Sequence, residues 1–429
     1  MTAVVVAIPQ PRARELAAEL ELEGVVVLAI AAAGPAAGEA LPAGAEAIIV
    51  PASRAVLTAD LIASCDRAGV RIIALGGTDS RLLGRLGLSA SLPLEATGWE
   101  VAAALSTDAE PAPDRSAVQT QPQHRVIAVW GPQGAPGRST VAIQLAGELS
   151  RRGRSVGLVD ADTVAPSLAL LLGLSDDAPG VAAACRRAER GALDAAELTR
   201  LATRIGAGAG EVEVLPGINR PSRWPELSAA RLRAALTACR GWVEDTIVDV
   251  AGAFDADDEV TYDLTGPRRH AATSAALLEA DLIVAVATAD PLGISRFLRD
   301  HAELCRLTAP TPLVVVANRV RQGPLGIDAR GQVRRTLERF GGIEDVVFLP
   351  FDQRAADAAL LHAKPMSEVA PRSAFVAAVR SLAASLSPLG TAATTAGSWR
   401  GSSPVFRRLR SALAAPGASP GADGRGSTS

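Results

Sequence analysis

Lysine is almost absent from this chain of 429 residues, in which Lys364 is the only one. Arginine therefore carries nearly all of the positive charge, and 43 basic residues against 46 acidic ones leave a formal net charge of −3. A chain without a bulk positive field does not attract polyanions at long range. Nucleic acid is for this reason not the expected partner.

Cysteine is also scarce, and its four positions lie far apart, at Cys65, Cys185, Cys239 and Cys305. No two of them form a C-x-x-C pair, which argues against a zinc site or a disulfide framework and favours a reducing cytoplasm. No apolar run reaches the roughly 18 residues of a spanning helix, and no secretory-signal pattern stands at the N-terminus. We expect a cytoplasmic protein.

Apolar side chains are abundant, at 48% of the residues, with 21% charged. Such a composition can bury sizeable cores and is not typical of a disordered chain. The length exceeds the roughly 100–200 residues of one domain and suits two.

Residues 1–106 alternate short β-branched runs with stretches of helical periodicity. The runs bounded by Gly or Pro predict buried strands at Ala3–Ile8, Val25–Ile30, Ala47–Val50 and Val70–Leu75. Helices are predicted at Arg12–Leu22, Leu57–Ala68 and Ser80–Leu86, and a weaker strand and helix at Ser91–Leu94 and Gly98–Leu105. Because each helix would cross over between parallel strands, the pattern indicates a flavodoxin-like domain of five βα units.

Residues 107–124 lose this periodicity and gather Pro, Gln, Asp and Ser, a composition typical of a linker. The alternation resumes over residues 125–387 and predicts a second, larger α/β domain. Its strands are predicted at Val126–Trp130, Val156–Val159, Val212–Leu215, Thr246–Val250, Leu282–Ala287, Leu313–Ala317 and Val346–Leu349. Residues 388–429 are rich in Ala, Gly, Ser, Thr and Pro and predict a disordered tail.

A glycine-rich loop, Gly131–Thr140, stands between the first strand of the second domain and a helix predicted at Val141–Arg151. Glycines let backbone N–H groups converge on an anion, and the helix N-terminus adds its positive end. Ser139 occupies the Mg²⁺ position of a standard phosphate loop. The match is incomplete, because the first glycine of that motif falls on Pro132 and its lysine on Arg138. The loop by itself leaves open a plain turn without a ligand.

Two strands of the second domain end in carboxylates. Asp160 and Asp162 follow the second strand, and Asp249 ends a hydrophobic strand that has the form of a Walker B strand. In an open parallel sheet the ligand crevice lies at this edge, so these carboxylates are expected to converge there. Polar groups that could bind a nucleobase follow two later strands, at Asn318-Arg319 and Pro350-Phe351-Asp352.

In this order, the motifs resemble the MinD/ParA family of deviant Walker A ATPases over residues 125–386. Within that family they are most similar to the CpaE/TadZ-like proteins of Flp/Tad pilus assembly and to related division and partition ATPases of actinobacteria. The resemblance implies an α/β P-loop NTPase fold, a parallel sheet with helices on both faces, preceded here by the smaller receiver-like domain. It also implies ATP and Mg²⁺ as ligands, a homodimer formed on ATP binding, and partners in the pilus, division or partition machinery.

The same resemblance assigns roles to individual residues. Asp162 would orient the attacking water, with Arg138 as the second catalytic residue. The Mg²⁺ ligands and their support would be Ser139, Asp160 and Asp249. Nucleotide contacts would fall on Gly134, Ala135, Pro136, Gly137, Arg138, Ser139, Thr140, Asn318, Pro350 and Asp352.

Two departures from the family bear on the chemistry. The lysine that reaches the partner's nucleotide falls on Gln133, and the loop lysine falls on Arg138. Arginine keeps the charge but is a planar fork rather than a compact ammonium, so the two are not equivalent. We therefore expect nucleotide binding with weak or slow hydrolysis. The alternative is a scaffold for the same machinery that keeps the fold and does not hydrolyse ATP.

The first domain resembles a receiver whose working residues are missing. The places of its acidic pair and phosphoacceptor hold Pro9-Gln10-Pro11 and Pro51-Ala52-Ser53, and Leu92-Pro93-Leu94 stands where the lysine is expected. Carboxylates that could hold Mg²⁺ are absent from these places, so a pseudo-receiver used for dimerisation or docking is expected. The alternative is a plain α/β adaptor domain, which differs little from this prediction.

The tail carries five arginines against one aspartate and includes an amphipathic stretch at 403–413. This pattern suits peripheral contact with the inner face of the cell membrane. A frayed tail without membrane contact is the alternative, since a helix of about ten residues is marginal alone.

Overall fold

The computed structural model describes residues 2–32, 34, 41–53, 56–76, 83, 86, 88, 91–106, 124–175, 180–206, 210–254, 268–321 and 328–387. These residues form two compact units, one holding the described residues up to Ser106 and the other those from His124 onward.

The first unit is a four-stranded parallel sheet with helices on both sides. Its strands are β1 (Ala3–Val6), β2 (Val26–Ile30), β3 (Ala47–Pro51) and β4 (Arg71–Leu75), in the order β2-β1-β3-β4. Its helices are α1 (Arg12–Leu22), α2 (Ala59–Ala68) and α3 (Gly98–Ser106). In place of a fifth strand, Leu92 makes a single parallel bridge to Leu75. This order is that of a flavodoxin-like sheet.

The two-residue period of β1 explains how both faces of the first sheet are covered. Val4 and Val6 pack into one hydrophobic cluster with α1 and α3, while Val5 and Ala7 pack into a second cluster with α2. The helix α2 has defined ends, because the Thr58 hydroxyl accepts a hydrogen bond from the Leu61 N–H at 3.2 Å and the left-handed Gly69 stops the helix.

The second unit is built on an eight-stranded sheet in the order β12-β11-β10-β5-β9-β6-β8-β7. Its strands are β5 (Arg125–Trp130), β6 (Val156–Asp160), β7 (Thr203–Ile205), β8 (Val212–Leu215), β9 (Asp245–Asp249), β10 (Leu282–Thr288), β11 (Leu313–Val320) and β12 (Val346–Pro350). All pairs are parallel except that of the edge strand β7 with β8. The three-residue β7 was not predicted, and the other seven strands lie where the sequence predicts them.

Helices cover both faces of the second sheet. They are α4 (Arg138–Ser150), α5 (Leu168–Leu172), α6 (Gly180–Glu189), α7 (Ala195–Leu201), α8 (Ala229–Cys239), α9 (Ala271–Glu279), α10 (Pro291–Thr308), α11 (Ala329–Gly341), α12 (Gln353–His362), α13 (Met366–Val369) and α14 (Ala374–Leu386), with a 3₁₀ helix at Pro221–Leu227. On β5, Ile127 and Val129 pack toward α4 and α14, while Val126, Ala128 and Trp130 pack toward α8, α9 and α10. The predicted parallel sheet with helices on both faces is confirmed.

The strand order decides where a functional site can lie. β5 pairs with β9 on one side and with β10 on the other, and β9 pairs with β6. Because all four strands are parallel, the segments that follow β5, β6, β9 and β10 emerge at one edge of the sheet.

Some sequence predictions lie outside the described residues. These are nearly all of the linker at 107–124, the tail at 388–429 with its stretch at 403–413, and most of the helix predicted at Ser80–Leu86. Among the helices that are described, none combines the length and the apolar character needed to cross a bilayer.

The packing of the core beside the C-terminal end of β5 can be tested by substituting Trp130. Its side chain is fully buried, stacks edge-on to Phe254 with ring centroids 5.7 Å apart, and donates a hydrogen bond from Nε1 to the Gly252 carbonyl at 2.9 Å. We expect Trp130→Ala to lower the free energy of unfolding by about 3–5 kcal/mol, because it leaves a cavity and an unpaired carbonyl. Urea unfolding followed by circular dichroism measures this.

The matched control is Trp99→Ala, because that side chain is 65% exposed. A loss of stability in Trp130→Ala no larger than in this control would contradict the packing described for β5.

Candidate functional site

The glycine-rich loop joins β5 directly to α4, which begins three residues earlier than the sequence predicts. Gly137 is the N-cap of α4 with φ 92°, so the N–H groups of Arg138, Ser139 and Thr140 belong to the first helical turn. Gly134 also has a positive φ, of 79°. Both positions use backbone conformations that other residues rarely adopt, which explains these two glycines. The result is a helix N-terminus whose free N–H groups face the loop.

Close backbone contacts fix the position of the loop. A Cβ atom added at Gly252, just after β9, would lie 2.8 Å from the Gln133 nitrogen, and one added at Gly131 would collide with the carbonyl oxygen of Val286 on β10. The loop therefore lies between the segments that follow its two neighbouring strands. Gln133, Gly134 and Pro136 remain exposed at its outer turn.

Arg138 is folded back over its own loop. Its Nη1 atom donates to the carbonyl oxygens of Gly131 at 3.2 Å and Pro132 at 3.3 Å. Its Nη2 atom forms an ion pair with Oδ2 of Asp162 at 3.5 Å. The guanidinium thus braces the loop against the segment that follows β6, and it links two residues that the sequence analysis had placed in one site.

Asp162 is buried and held in one orientation. Its Oδ1 atom accepts hydrogen bonds from the N–H groups of Val164 and Ala165, both at 2.8 Å, which leaves Oδ2 to face Arg138. These contacts hold the Asp162 carboxylate in one direction at the edge of the loop.

Asp160 is more fully engaged by the backbone. Its Oδ2 atom accepts from the N–H groups of Ser167 at 2.9 Å and Leu168 at 3.0 Å, which lie at the start of α5, and Oδ1 accepts from the Asp162 N–H at 3.1 Å. Burial nevertheless raises the pKa of Asp160 to about 7, against the opposing hydrogen bond from Leu168. Asp160 thus organises the segment after β6 in addition to facing the site.

Asp249, at the end of β9, lacks such partners. It is 1% exposed, and neither of its carboxylate oxygens has a hydrogen bond of normal geometry within the described residues. Burial raises the pKa of Asp249 well above its ordinary value, the nearby charge of Asp160 adds to the rise, and the hydroxyl of Ser139 opposes it. A buried carboxylate with free lone pairs beside a hydroxyl is a place where a cation would be stabilising.

Ser139 connects this carboxylate to the segment after β6. The Ser167 hydroxyl donates to the Ser139 hydroxyl at 3.0 Å. The described residues contain no group of three or more His, Cys, Asp or Glu side chains arranged as a metal site. A divalent cation here would thus take few protein ligands, as Mg²⁺ does when water and phosphate oxygens complete its shell.

Asn318, at the end of β11, contacts the loop, which its position in the sequence does not reveal. Its side-chain Nδ2 donates to the Pro136 carbonyl at 3.1 Å, and its Oδ1 accepts from the Arg319 N–H at 2.8 Å. Gly137 approaches the Asn318 amide so closely that a Cβ atom there would collide with it. Asn318 is thus brought together with the glycine-rich loop, while its amide is already engaged by the backbone.

The remaining predicted contact residues lie along the start of α12. Pro350 ends β12, and Asp352 caps α12 by accepting from the Ala355 N–H at 3.1 Å and from the Ser373 hydroxyl at 2.7 Å. A cavity of about 340 Å³ opens here, lined in part by Asp352, Arg354 and Arg372. The cavity lies beside the N-terminus of α12.

Sequence reasoning missed two residues of this edge. Ser167 carries no motif of its own, although it follows a strand that ends in aspartate. Arg296 lies on α10, and a Cβ atom at Gly134 would collide with its guanidinium. Its position relative to the loop depends on the tertiary fold and gives no signal in the sequence.

Comparisons with known proteins agree with this architecture. Residues 123–190, which contain the loop and the Asp160–Asp162 segment, match the family model "ParA: NUBPL iron-transfer P-loop NTPase". A ParA family ATPase from Chlorobium tepidum TLS is similar in structure, with a TM-score of 0.51 and 18% identity, over 62% of this chain and 99% of that chain. The septum site-determining protein MinD complexed with Mg-ADP from Pyrococcus horikoshii OT3 matches with a TM-score of 0.47 and 18% identity, over 61% and 95% of the two chains.

One curated sequence also matches, the cytosolic Fe-S cluster assembly factor cfd1 of Aspergillus clavatus. It is 42% identical over 59 residues, which are 13% of this chain. The chain spans only 19% of the length of that relative. The fold of the second unit is therefore that of a ParA-type P-loop NTPase, and the family model matches the segment that contains the glycine-rich loop.

Replacing Asp249 with Asn should stabilise the ligand-free protein, and the gain should grow with pH. Because the folded-state pKa of Asp249 lies above its unfolded value, ionising this group costs stability as pH rises, and Asn cannot ionise. We expect a gain of about 1–3 kcal/mol at about pH 9 that shrinks toward about pH 5. Urea unfolding in EDTA at both pH values measures it.

Asp160→Ala is the matched comparison, because it orphans three backbone N–H groups and should destabilise the protein at both pH values. An Asp249→Asn variant that is less stable than the wild type at both pH values would contradict the unpartnered state of that carboxylate.

Proposed function

We propose that the second unit is an ATP-binding switch of the ParA/MinD type, with weak or slow hydrolysis. The observation that carries this proposal is the loop Gly131–Thr140, which presents a free helix N-terminus directly beside three buried aspartates at one edge of a parallel sheet. Helix N-termini and glycine-rich turns bind phosphate groups, and the aspartates supply carboxylate oxygens that would hold the divalent cation of a metal–phosphate complex.

Mg²⁺ fits the donor set of this edge. Ser139 and Asp249 would hold the ion, because Asp249 is buried with no hydrogen bond of normal geometry in the described part of the chain and the Ser139 hydroxyl lies beside it. Asp160 would support the ion indirectly, since backbone N–H groups already bond both of its carboxylate oxygens. Bound there, Mg²⁺ would neutralise charge on the phosphates during transfer.

Asp162 would orient the attacking water. Its carboxylate is fixed by Val164 and Ala165 and lies next to Arg138, so that a water on Oδ2 would be held in a defined direction. Positioning of this kind accounts for much of the rate of phosphoryl transfer. The ion pair with Arg138 at the same oxygen is a reason to expect slow turnover.

The nucleobase would lie toward β11 and β12. Asn318 borders the loop through Pro136, and the cavity beside Asp352 lies after Pro350 at the end of the neighbouring strand. The phosphates would then contact Gly134 to Thr140. This assignment places base and phosphates along one edge of the sheet, as the ligand crevice of a doubly wound fold requires.

The biological role follows from the resemblance of the motifs rather than from the site. We propose an ATP-dependent homodimer that positions pilus, division or partition machinery. The first unit would act as a pseudo-receiver for docking or dimerisation. The tail would make peripheral contact with the cell membrane, and nucleic acid is not proposed as a partner.

A second candidate is a scaffold that binds nucleotide and never hydrolyses it. The observation in its favour is Arg138, whose guanidinium is already engaged by two loop carbonyls and by Asp162. In that state it is not free to stabilise a transferring phosphate.

Iron–sulfur carriage, which the names of two relatives suggest, has less support. Cys65, Cys185 and Cys239 are buried and unpaired, and burial raises the pKa of Cys185 and of Cys239 to about 12. Thiols in this state are protonated and poor ligands.

Radiolabelled ATP binding and turnover separate the two candidates. We expect Asp162→Ala to lower turnover by about 100-fold or more while ATP affinity changes little, because this carboxylate acts on the water. Asp194→Ala, which removes an exposed helix cap on α7, is the matched control. Wild-type protein that does not bind millimolar ATP would contradict the proposed function, and binding without turnover would favour the scaffold.

Size-exclusion chromatography with ATP gives a second readout. The Asp162→Ala variant should remain a dimer, because hydrolysis is the step that would dissolve the dimer. An Asp162→Ala protein that elutes as a monomer, while the wild type dimerises, would overturn the role given to Asp162.

Arg138→Ala should act differently and weaken ATP binding itself, since the loop loses the hydrogen bonds of the guanidinium to two of its carbonyl oxygens.

Ser139→Ala tests the metal assignment. In the wild type, EDTA should weaken ATP binding by about tenfold or more, because Ser139 and Asp249 would hold a Mg²⁺ ion that neutralises charge on the phosphates. In Ser139→Ala the same addition of EDTA should have a much smaller effect. Equal effects of EDTA in the two proteins, measured by isothermal titration, would remove Ser139 from the metal site.

A further inference from the structure

Arg296 lies in the second turn of α10, which follows β10. Since β10 is paired with β5, the first turns of α10 stand beside the phosphate loop at the same edge of the sheet. The guanidinium reaches the outer turn of the loop, where its Nη1 atom occupies the space that a Cβ atom at Gly134 would need. Gly134 is itself exposed, so the contact lies on the solvent side of the loop.

Arg296 has a half-buried side chain and, within the described ranges, no hydrogen bond, ion pair or ring contact. Neighbouring arginines are engaged, since Arg299 bonds Asp300 at 2.8 Å and Arg138 bonds two loop carbonyls and pairs with Asp162. A guanidinium held against a glycine without an acceptor has all of its donor groups available to a ligand.

We propose that Arg296 is the phosphate-binding cation of this loop and contacts the polyphosphate of the nucleotide bound in the same subunit. The inference rests on the proposed nucleotide-binding function. Gln133, at the outer turn, is neutral, and Arg138 is occupied by protein acceptors. A guanidinium makes two parallel hydrogen bonds to a phosphate, which suits an arginine that has no other partner.

Gly134 is part of the same arrangement. Its φ of 79° turns the chain outward, and the missing side chain leaves the space that the Arg296 guanidinium fills. Any larger residue would displace that guanidinium. The loop and α10 thus fit each other, although they are about 160 residues apart in the sequence.

Isothermal titration of the full chain with ATP, ADP and inorganic triphosphate, in the presence of Mg²⁺, tests the proposal. We expect Arg296→Ala to weaken binding of ATP and of triphosphate by about tenfold or more, and that of ADP by less, because a triphosphate carries more negative charge. Arg296→Lys should recover part of the loss. Arg299→Ala, on the exposed side of the same helix, should bind all three ligands like the wild type.

Thermal unfolding without ligand shows whether a loss of ATP affinity reflects a loss of folded protein. Arg296→Ala should unfold at the same temperature as the wild type, because this side chain has no hydrogen bond or ion pair within the described chain. If wild-type protein binds ATP and Arg296→Ala binds it equally well, the proposal for Arg296 is wrong and the proposed function stands. If the wild type does not bind ATP, both are wrong. A loss of ATP affinity that also appears in Arg299→Ala would show a general effect of charge and would overturn the proposal.

Discussion

Burial of three carboxyl groups at one edge of a parallel sheet is the constraint on which the second unit depends. Asp160, Asp162 and Asp249 all stand there with 4% exposure or less. Water cannot stabilise such groups, so the protein or a ligand has to do so. Backbone N–H groups from the start of α5 and its preceding turn satisfy Asp160 and Asp162, and Arg138 adds a positive charge. Among the described residues, Asp249 has no hydrogen bond of normal geometry, and this defines where a cation would be most stabilising.

The standard phosphate-loop motif has a lysine at the position of Arg138. The contacts of Arg138 show what an arginine does there. A lysine ammonium has three donors on a flexible stem, while a guanidinium is a wide planar fork that can span two carbonyl oxygens and a carboxylate at once. Arg138 does this, and the loop gains an internal brace. Because the guanidinium of Arg138 is held by these three contacts, its positive charge is not available to a phosphate bound in the loop. The guanidinium of Arg296, which has no hydrogen bond or ion pair with the described residues, approaches the same loop at Gly134.

Much of the fold follows from local pattern. Buried parallel strands such as β5 and β10 are continuous apolar runs, and the glycine-rich loop and the aspartates at strand ends are motifs with short spacing, so the sequence predicts them. The edge strand β7 is short and partly exposed and gives no such signal. The use of Arg138, the contact of Asn318 with Pro136 and the approach of Arg296 to Gly134 depend on packing between distant segments. Periodicity and spacing carry no information about those contacts.

The central claim is that the loop at residues 131–140 binds the phosphates of a nucleotide. Amide hydrogen exchange of the full chain, read by mass spectrometry with and without ATP and Mg²⁺, tests it most directly. The account predicts slower exchange in peptides that cover the loop and the first turn of α4, with no change in peptides that cover Gly98–Ser106 of the first unit. Unchanged exchange across the loop at millimolar ATP and Mg²⁺ would contradict it.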